Sequence, residues 1–252
     1  MSDWIFLRGL IREQRHWGSF LHEFESCIPG AKAHPVDLPG NGALNHLRTP
    51  HTILEMVDAC RRQLQAQGLG PPYRVLAVSM GAMVAVQWAH AYPEEVDSMV
   101  LINTSMRPFS AFYRRLRPQN YLPILKLILR GSDAAGWEQA ILKMTSHHAS
   151  EHVLESWRAL RERHPVSSRN ALRQLWASAV FRSPMHKPLA AILLLASERD
   201  QLVAVDCSRA IAARWNVPLR VHPSAGHDLT LDDGPWVAMQ VLYWMRPEER
   251  AC

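Results

Sequence analysis

The sequence predicts an α/β fold, a mostly parallel sheet of about six strands with helices on both faces, over residues 1–252 as one domain. Three observations point to it. Apolar runs of strand length alternate with helix-like stretches, and several runs are nearly continuous in apolar character, as burial on both faces requires. The rhythm breaks once, between Asn103 and Lys187, where helical patterns stand alone and mark an inserted helical cap at about 104–187.

In chain order, Asp3 to Leu7 reads as the first strand, His16 to Cys27 as a helix, Ala33 to Asp37 as a strand and Thr52 to Gln67 as a helix. Tyr73 to Val78 is an apolar, β-branched strand that runs into Ser79, and Ala82 to Tyr92 is the helix behind it. Val96 to Ile102 follows as a strand. The insertion reads as Tyr121 to Arg130, Ala134 to His147, Glu151 to His164 and Ser168 to Phe181, all helical. The sheet resumes with Ala191 to Ala196, then a helix over Val205 to Trp215, a strand over Val217 to His222 and a closing helix over Gly234 to Met245. No repeat or low-complexity linker is visible.

Composition fits a chain able to bury a full core, with 48% hydrophobic and 20% charged residues. Met1 to Leu7 has no basic leader, and no stretch approaches the ~20 apolar residues of a membrane span, so the expectation is a cytoplasmic protein without a membrane partner. Cys27, Cys60, Cys207 and Cys252 show no Cys-x-x-Cys spacing and read as free thiols. The net charge of +5 is uneven: Arg107 to Lys187 holds fourteen Lys or Arg against five acids. Arg114, Arg115, Arg117, Arg158, Arg161 and Arg163 read first as a solvated basic face. No basic-aromatic motif for nucleic acid accompanies them.

The chemistry centres on Ser79. A serine on a tight turn between a buried strand and a helix, with small Ala77 and Gly81 two positions to either side, can be lifted clear of the sheet as a nucleophile. The following amide, of Met80, then faces a reacting carbonyl at the positive end of the helix. Two partners lie past later strand ends: Asp200 as orienting acid and His227 as base. Catalytic groups in open α/β sheets gather beyond the carboxyl ends of the strands, so the three can converge.

Taken together, Ala77-Val78-Ser79-Met80-Gly81, Asp200, Gly226-His227, Asp37-Leu38-Pro39-Gly40-Asn41-Gly42 and Leu7-Arg8-Gly9-Leu10 resemble the α/β-hydrolase superfamily over nearly the whole chain. Within it the likeness is to small bacterial serine hydrolases, such as those that cleave pimelyl esters and the synthase of the menaquinone pathway. The resemblance implies an ester or thioester hydrolase working through an acyl-enzyme on Ser79. Its oxyanion hole would be formed by the amides of Leu10 and Met80, its small-molecule substrate would be an ester or thioester, and it would need no cofactor. An acidic acyl-carrier protein docking on the basic cap is a partner it suggests. Trp137, Trp157 and Trp176 would shape the substrate pocket under the cap.

The sequence departs from the family pattern at three points. Ala77 and Ala82 stand where glycines are common, and Arg8 replaces the usual histidine before the oxyanion glycine. Arg8 reads either as half of a structural ion pair or as a contact to an anionic substrate group. Other readings stay open. Arg8, Arg12 and Arg15 could hold the carboxylates of a substrate undergoing carbon-carbon cleavage or elimination. The same fold could be a ligand-binding protein, and His148-Ala149-Ser150-Glu151-His152 has the spacing of some zinc peptidases. The short apolar helix Tyr121 to Arg130 could touch a membrane surface.

Overall fold

Six strands pair side by side in the order β2-β1-β3-β4-β5-β6, all parallel, in a computed structural model that describes residues 2–130 and 133–246. The strands are β1 (Ser2–Leu7), β2 (Ala31–Val36), β3 (Tyr73–Val78), β4 (Val96–Ile102), β5 (Ala191–Ser197) and β6 (Leu219–His222). Outside the insertion, helices pack on both faces of the sheet. Those helices are α1 (Phe20–Cys27), α2 (Ile53–Ala66), α3 (Met80–Ala91), α9 (Asp206–Trp215) and α11 (Gly234–Trp244).

The period-two alternation of side chains divides the core into two layers. Ile5, Leu7, Val75, Ala77, Met99 and Leu101 face α2, α3 and α9, where Met56, Val84, Trp88 and Ile211 pack on them. Trp4, Phe6, Leu76, Val78, Val100 and Leu193 face the other way, onto Phe20 and Phe24 of α1 and Val237 and Val241 of α11. Phe6 meets Trp17, Phe20 and Phe24 edge-on, with ring centroids 5.2, 6.2 and 5.1 Å away.

Between β4 and β5 the chain leaves the sheet and forms α4 (Phe112–Arg115), α5 (Tyr121–Arg130), α6 (Ala134–Thr145), α7 (Glu151–Arg163) and α8 (Ser168–Val180). Serine caps α7 and α8, the Ser150 and Ser167 hydroxyls accepting from the amides of Val153 and Asn170. A third apolar cluster of Ile11, Leu127, Ile128, Trp137 and Ala171 joins these helices to the loop after β1. The four-residue α10 (Leu229–Asp232) precedes α11.

Differences from the sequence reading have local causes. The helix expected from His16 is divided, because Gly18 at φ 55° ends a 3₁₀ turn over Gln14–Trp17 before α1 begins. The last strand begins at Leu219 rather than Val217. Asn216 adopts the left-handed conformation that ends α9, and Pro218 has no amide to give the ladder. Cys27, Cys60 and Cys207 are free thiols, while Cys252 lies outside the described residues. No helix among the described residues is long and apolar enough to cross a membrane.

Candidate active site

The chain runs from β1 outward to β2, then crosses to β3 on the other side of β1, so the loops after β1 and β3 diverge at their carboxyl ends. Such a divergence opens a crevice. Gly9 and Leu10 stand on one loop and Ser79 on the other. A Cβ placed on Gly9 would lie 3.2 Å from the Ser79 Cβ, so the two loops touch.

Ser79 has φ 56° and ψ −116°, a conformation that L-residues rarely adopt. It is held there from both sides. Its amide donates to the Ile102 carbonyl at 2.9 Å, and its carbonyl accepts from Thr104 Oγ1 at 3.0 Å. Gly81 is required at the next turn, since a Cβ there would stand 2.5 Å from the Leu7 carbonyl oxygen and 2.7 Å from that of Arg8. Met80 opens α3, so its amide is among the helix's first N–H groups, which have no carbonyl four residues back.

Asp200 and His227 meet as the strand ends suggest. His227 Nδ1 lies 2.7 Å from Asp200 Oδ2, with both side chains buried. The other carboxylate oxygen, Oδ1, accepts from the amides of Leu202 and Val203 at 2.7 and 2.9 Å. A carboxylate fixed in this way orients the imidazole with its proton on Nδ1, leaving Nε2 as an acceptor. Ser79 and His227 line the same cavity.

Sequence reasoning missed three polar residues that hold this arrangement. Asn103, at φ 46° just past β4, donates from Nδ2 to Ser197 Oγ and to the carbonyls of Gly226 and His227, and its Oδ1 accepts from the Ser197 amide. It ties β4, β5 and the histidine loop together. Asp232 accepts from the amides of Gly226, His147 and His148 and from Ser146 Oγ, while the Asp228 amide donates to the Thr145 carbonyl at 2.7 Å. These bonds join the histidine loop to the end of α6. Asp228 is the third, as the partner of Arg8. A signal for Asn103 existed, a polar residue directly at a strand's carboxyl end, but its partners lie 94 to 124 residues away.

Arg8 makes a two-pronged ion pair: Nη1 donates to Asp228 Oδ1 at 3.0 Å and Nη2 to Oδ2, both groups buried. Burial alone would raise the Asp228 pKa, but Arg8, with help from Arg12 and the Thr230 hydroxyl, holds it below the usual carboxylate value. Arg8 is thus half of a buried ion pair, and it also borders the cavity that holds Ser79. Arg12 Nη1 is engaged by Glu138 Oε2 at 2.6 Å and by His16 Nε2, and Arg15 by Glu13. Burial, then the charges of Arg12 and Arg8, keep the His16 pKa well below its ordinary value.

The three tryptophans have different surroundings. Trp137 lines the cavity beside Ser79, with the Arg161 guanidinium 3.8 Å from its ring centroid. Trp157 is buried elsewhere, against His16 and beneath Arg12, and does not line the cavity. Trp176 is 60% exposed. The buried stripe of α8 is Asn170, Ala171, Gln174 and Ala177, which turns Trp176 outward. Neither Trp157 nor Trp176 therefore meets the expectation of a pocket contact. Arg161 also departs from the solvated-face reading: it lies 3.8 Å from Glu138, and burial draws its pKa down to about 10 against the pull of that carboxylate. The zinc-like spacing dissolves because α7 begins at Glu151, so His148 is not on the helix that carries His152.

A doubly wound parallel sheet with a strained serine at the switch point and a carboxylate-held histidine three strands on is the arrangement of the nucleophile-elbow class of α/β proteins. The model of the Alpha/beta hydrolase family matches residues 4–240, and the chain belongs to that family. A protein of Cronobacter turicensis named as the carbamate hydrolase RutD is 29% identical over 190 residues, covering 70% of this chain and 66% of that protein, just under two thirds. A pimeloyl-[acyl-carrier protein] methyl ester esterase of Chromobacterium violaceum is 34% identical over 92 residues, 36% of this chain and 34% of the relative. Among solved structures, an esterase from Exiguobacterium antarcticum superposes with a TM-score of 0.77 at 15% identity, covering 97% of this chain and 91% of that one. At that identity the likeness is one of fold.

Proposed function

We propose that the enzyme cleaves a carboxylic ester or thioester through an acyl-enzyme on Ser79. His227 Nε2 takes the serine proton as Oγ attacks the carbonyl carbon, and Asp200 keeps the imidazole in the required tautomer and offsets the charge it gains. The amides of Leu10 and Met80 stabilise the oxyanion. The imidazolium then protonates the departing alcohol or thiol, and a water activated by the same histidine releases the acid. The observation that carries this reading is the His227–Asp200 contact of 2.7 Å on the wall of the cavity that holds Ser79.

In this reading residues 1–252 act as one unit, and the insertion at about 104–187 is a cap that excludes water and shapes the pocket. The name of the Cronobacter relative adds carbamates to the carbonyl compounds worth assaying. A carbon-carbon cleaving enzyme loses its main support, because Arg8, Arg12 and Arg15 are all committed to acidic partners. An acyl-carrier protein on the cap would have to engage Arg158 and Arg163, since Arg161 is turned toward Glu138. The test is a fluorophosphonate probe read by intact mass, with Ser79→Ala as control. One adduct, lost in the variant, is expected; an unmodified wild-type protein would overturn the acyl-enzyme mechanism.

A further inference from the structure

Ser79 stands between two cavities. The smaller, about 90 Å³, is lined by Ile128, Trp137, Ile141 and Met144 with Arg8 and Arg12 in its wall. The larger, about 810 Å³, leads the other way from Ser79 and Met80, past Met83, Leu116, Leu175 and Val203. Arginines border both, and their charges are treated in opposite ways. Beside the small cavity each has its acid, Asp228 for Arg8 and Glu138 for Arg12.

The large cavity is lined by Arg107, Arg115 and Arg182, and no aspartate or glutamate shares that lining. Arg115 Nη1 and Nη2 donate to the carbonyls of Ala179 and Ser178 at the end of α8, and its Nε is buried without a partner. Burial, and then the charge of Arg107, lower its pKa. Arg107 and Arg182 sit side by side on a parallel bridge, fixed by the Ser183 amide donating to the Arg107 carbonyl at 2.7 Å. Neither has an acidic partner among the described residues. Like charges gathered around an apolar space repel one another and attract an anion into it.

We infer that the large cavity receives the part of the substrate that ends in an anion, a carboxylate or phosphate on an apolar chain, with Arg107 and Arg182 as its receptors. The small cavity takes a short apolar group. A guanidinium suits either anion, since both accept two parallel N–H bonds. The apolar stretch between Ser79 and the arginines excludes a substrate that is polar throughout. This assignment of the substrate class rests on the ester-cleaving reading of Ser79.

The test compares three methyl esters on one ten-carbon chain: methyl decanoate, monomethyl decanedioate with a free far carboxylate, and the counterpart bearing a far phosphate. For the wild type, kcat/KM is expected to favour an anionic ester over methyl decanoate by about tenfold or more, through KM, as a charge-assisted contact provides. Whichever anion gains more identifies the source. In Arg107→Gln/Arg182→Gln the anionic-to-neutral ratio falls to about one. Should that variant not fold, rising ionic strength must erode the wild-type preference. A wild-type ratio near one, or a ratio that survives both the double substitution and salt, overturns the proposal. Binding of the same esters to Ser79→Ala, read by calorimetry, separates the two readings. Preference there without turnover in the wild type would sink the acyl-enzyme and keep the anion site, whereas turnover without preference would do the reverse.

Discussion

The sheet and the helical insertion contribute to one site by different physical means. Ser79, Asp200 and His227 are set by the backbone of the core: a carbonyl from β4 at Ser79, two amides at Asp200 and Asn103 across two strand ends. The insertion meets that core through an apolar cluster, a few backbone bonds and scattered side-chain bonds, including Arg12 to Glu138, the Ile11 amide to Gln174 and the Thr49 amide to Asn170. It also leaves Leu122, Leu125 and Trp176 exposed. The proposed chemistry thus rests on elements that cannot shift without breaking the sheet, while much of the cavity wall belongs to helices that can be altered one residue at a time.

The largest effect that would test this division is at the core. Asp200→Asn should lower kcat by roughly 10⁴, because an amide favours the wrong imidazole tautomer, with the unfolding midpoint in urea changed far less. A loss of only a few-fold would remove Asp200 from the proposed mechanism. Next comes the pair that joins the loop after β1 to the histidine loop. Arg8→Met leaves Asp228 buried and unpaired, and equilibrium unfolding should register a loss of about 3–5 kcal/mol.

A pH series sharpens the same point. Since the folded-state pKa of Asp228 is depressed, its contribution is present above the ordinary carboxylate pKa and disappears as pH falls through the depressed one. Stability measured between about pH 5 and pH 2 should therefore fall less steeply in Asp228→Asn than in the wild type, from a lower starting value. Identical acid slopes would contradict the charge assignment. The smallest effects belong to the insertion. Trp137→Ala should move the preferred short group toward bulkier ones across a homologous ester series, and Trp176→Ala should leave that series unchanged.

Much of the fold was legible because strands buried on both faces must be apolar almost continuously, and because Ser79 and Asp200 each follow such a run while His227 follows a short edge strand. Positions just beyond strand ends can be located from local pattern alone. What pattern cannot give is the partner across the fold. Asp228 stands in a loop with no local pattern to mark it, yet it is what holds Arg8, 220 residues away. The insertion misled in another way. On α8 the polar Asn170 and Gln174 face inward, because they bond to the loops holding Thr49 and Ile11, and the aromatic Trp176 faces out. Hydropathy alone ranks those positions in reverse.

Asp232 gears the two regions together. Its carboxylate grips the amide of Gly226 on one side and the turn after α6, through Ser146, His147 and His148, on the other. Swinging α6 away from the sheet must either sever that grip or drag the neighbouring imidazole off its carboxylate. The position of α6 is thus felt at the loop that carries His227 for as long as the Asp232 bonds hold.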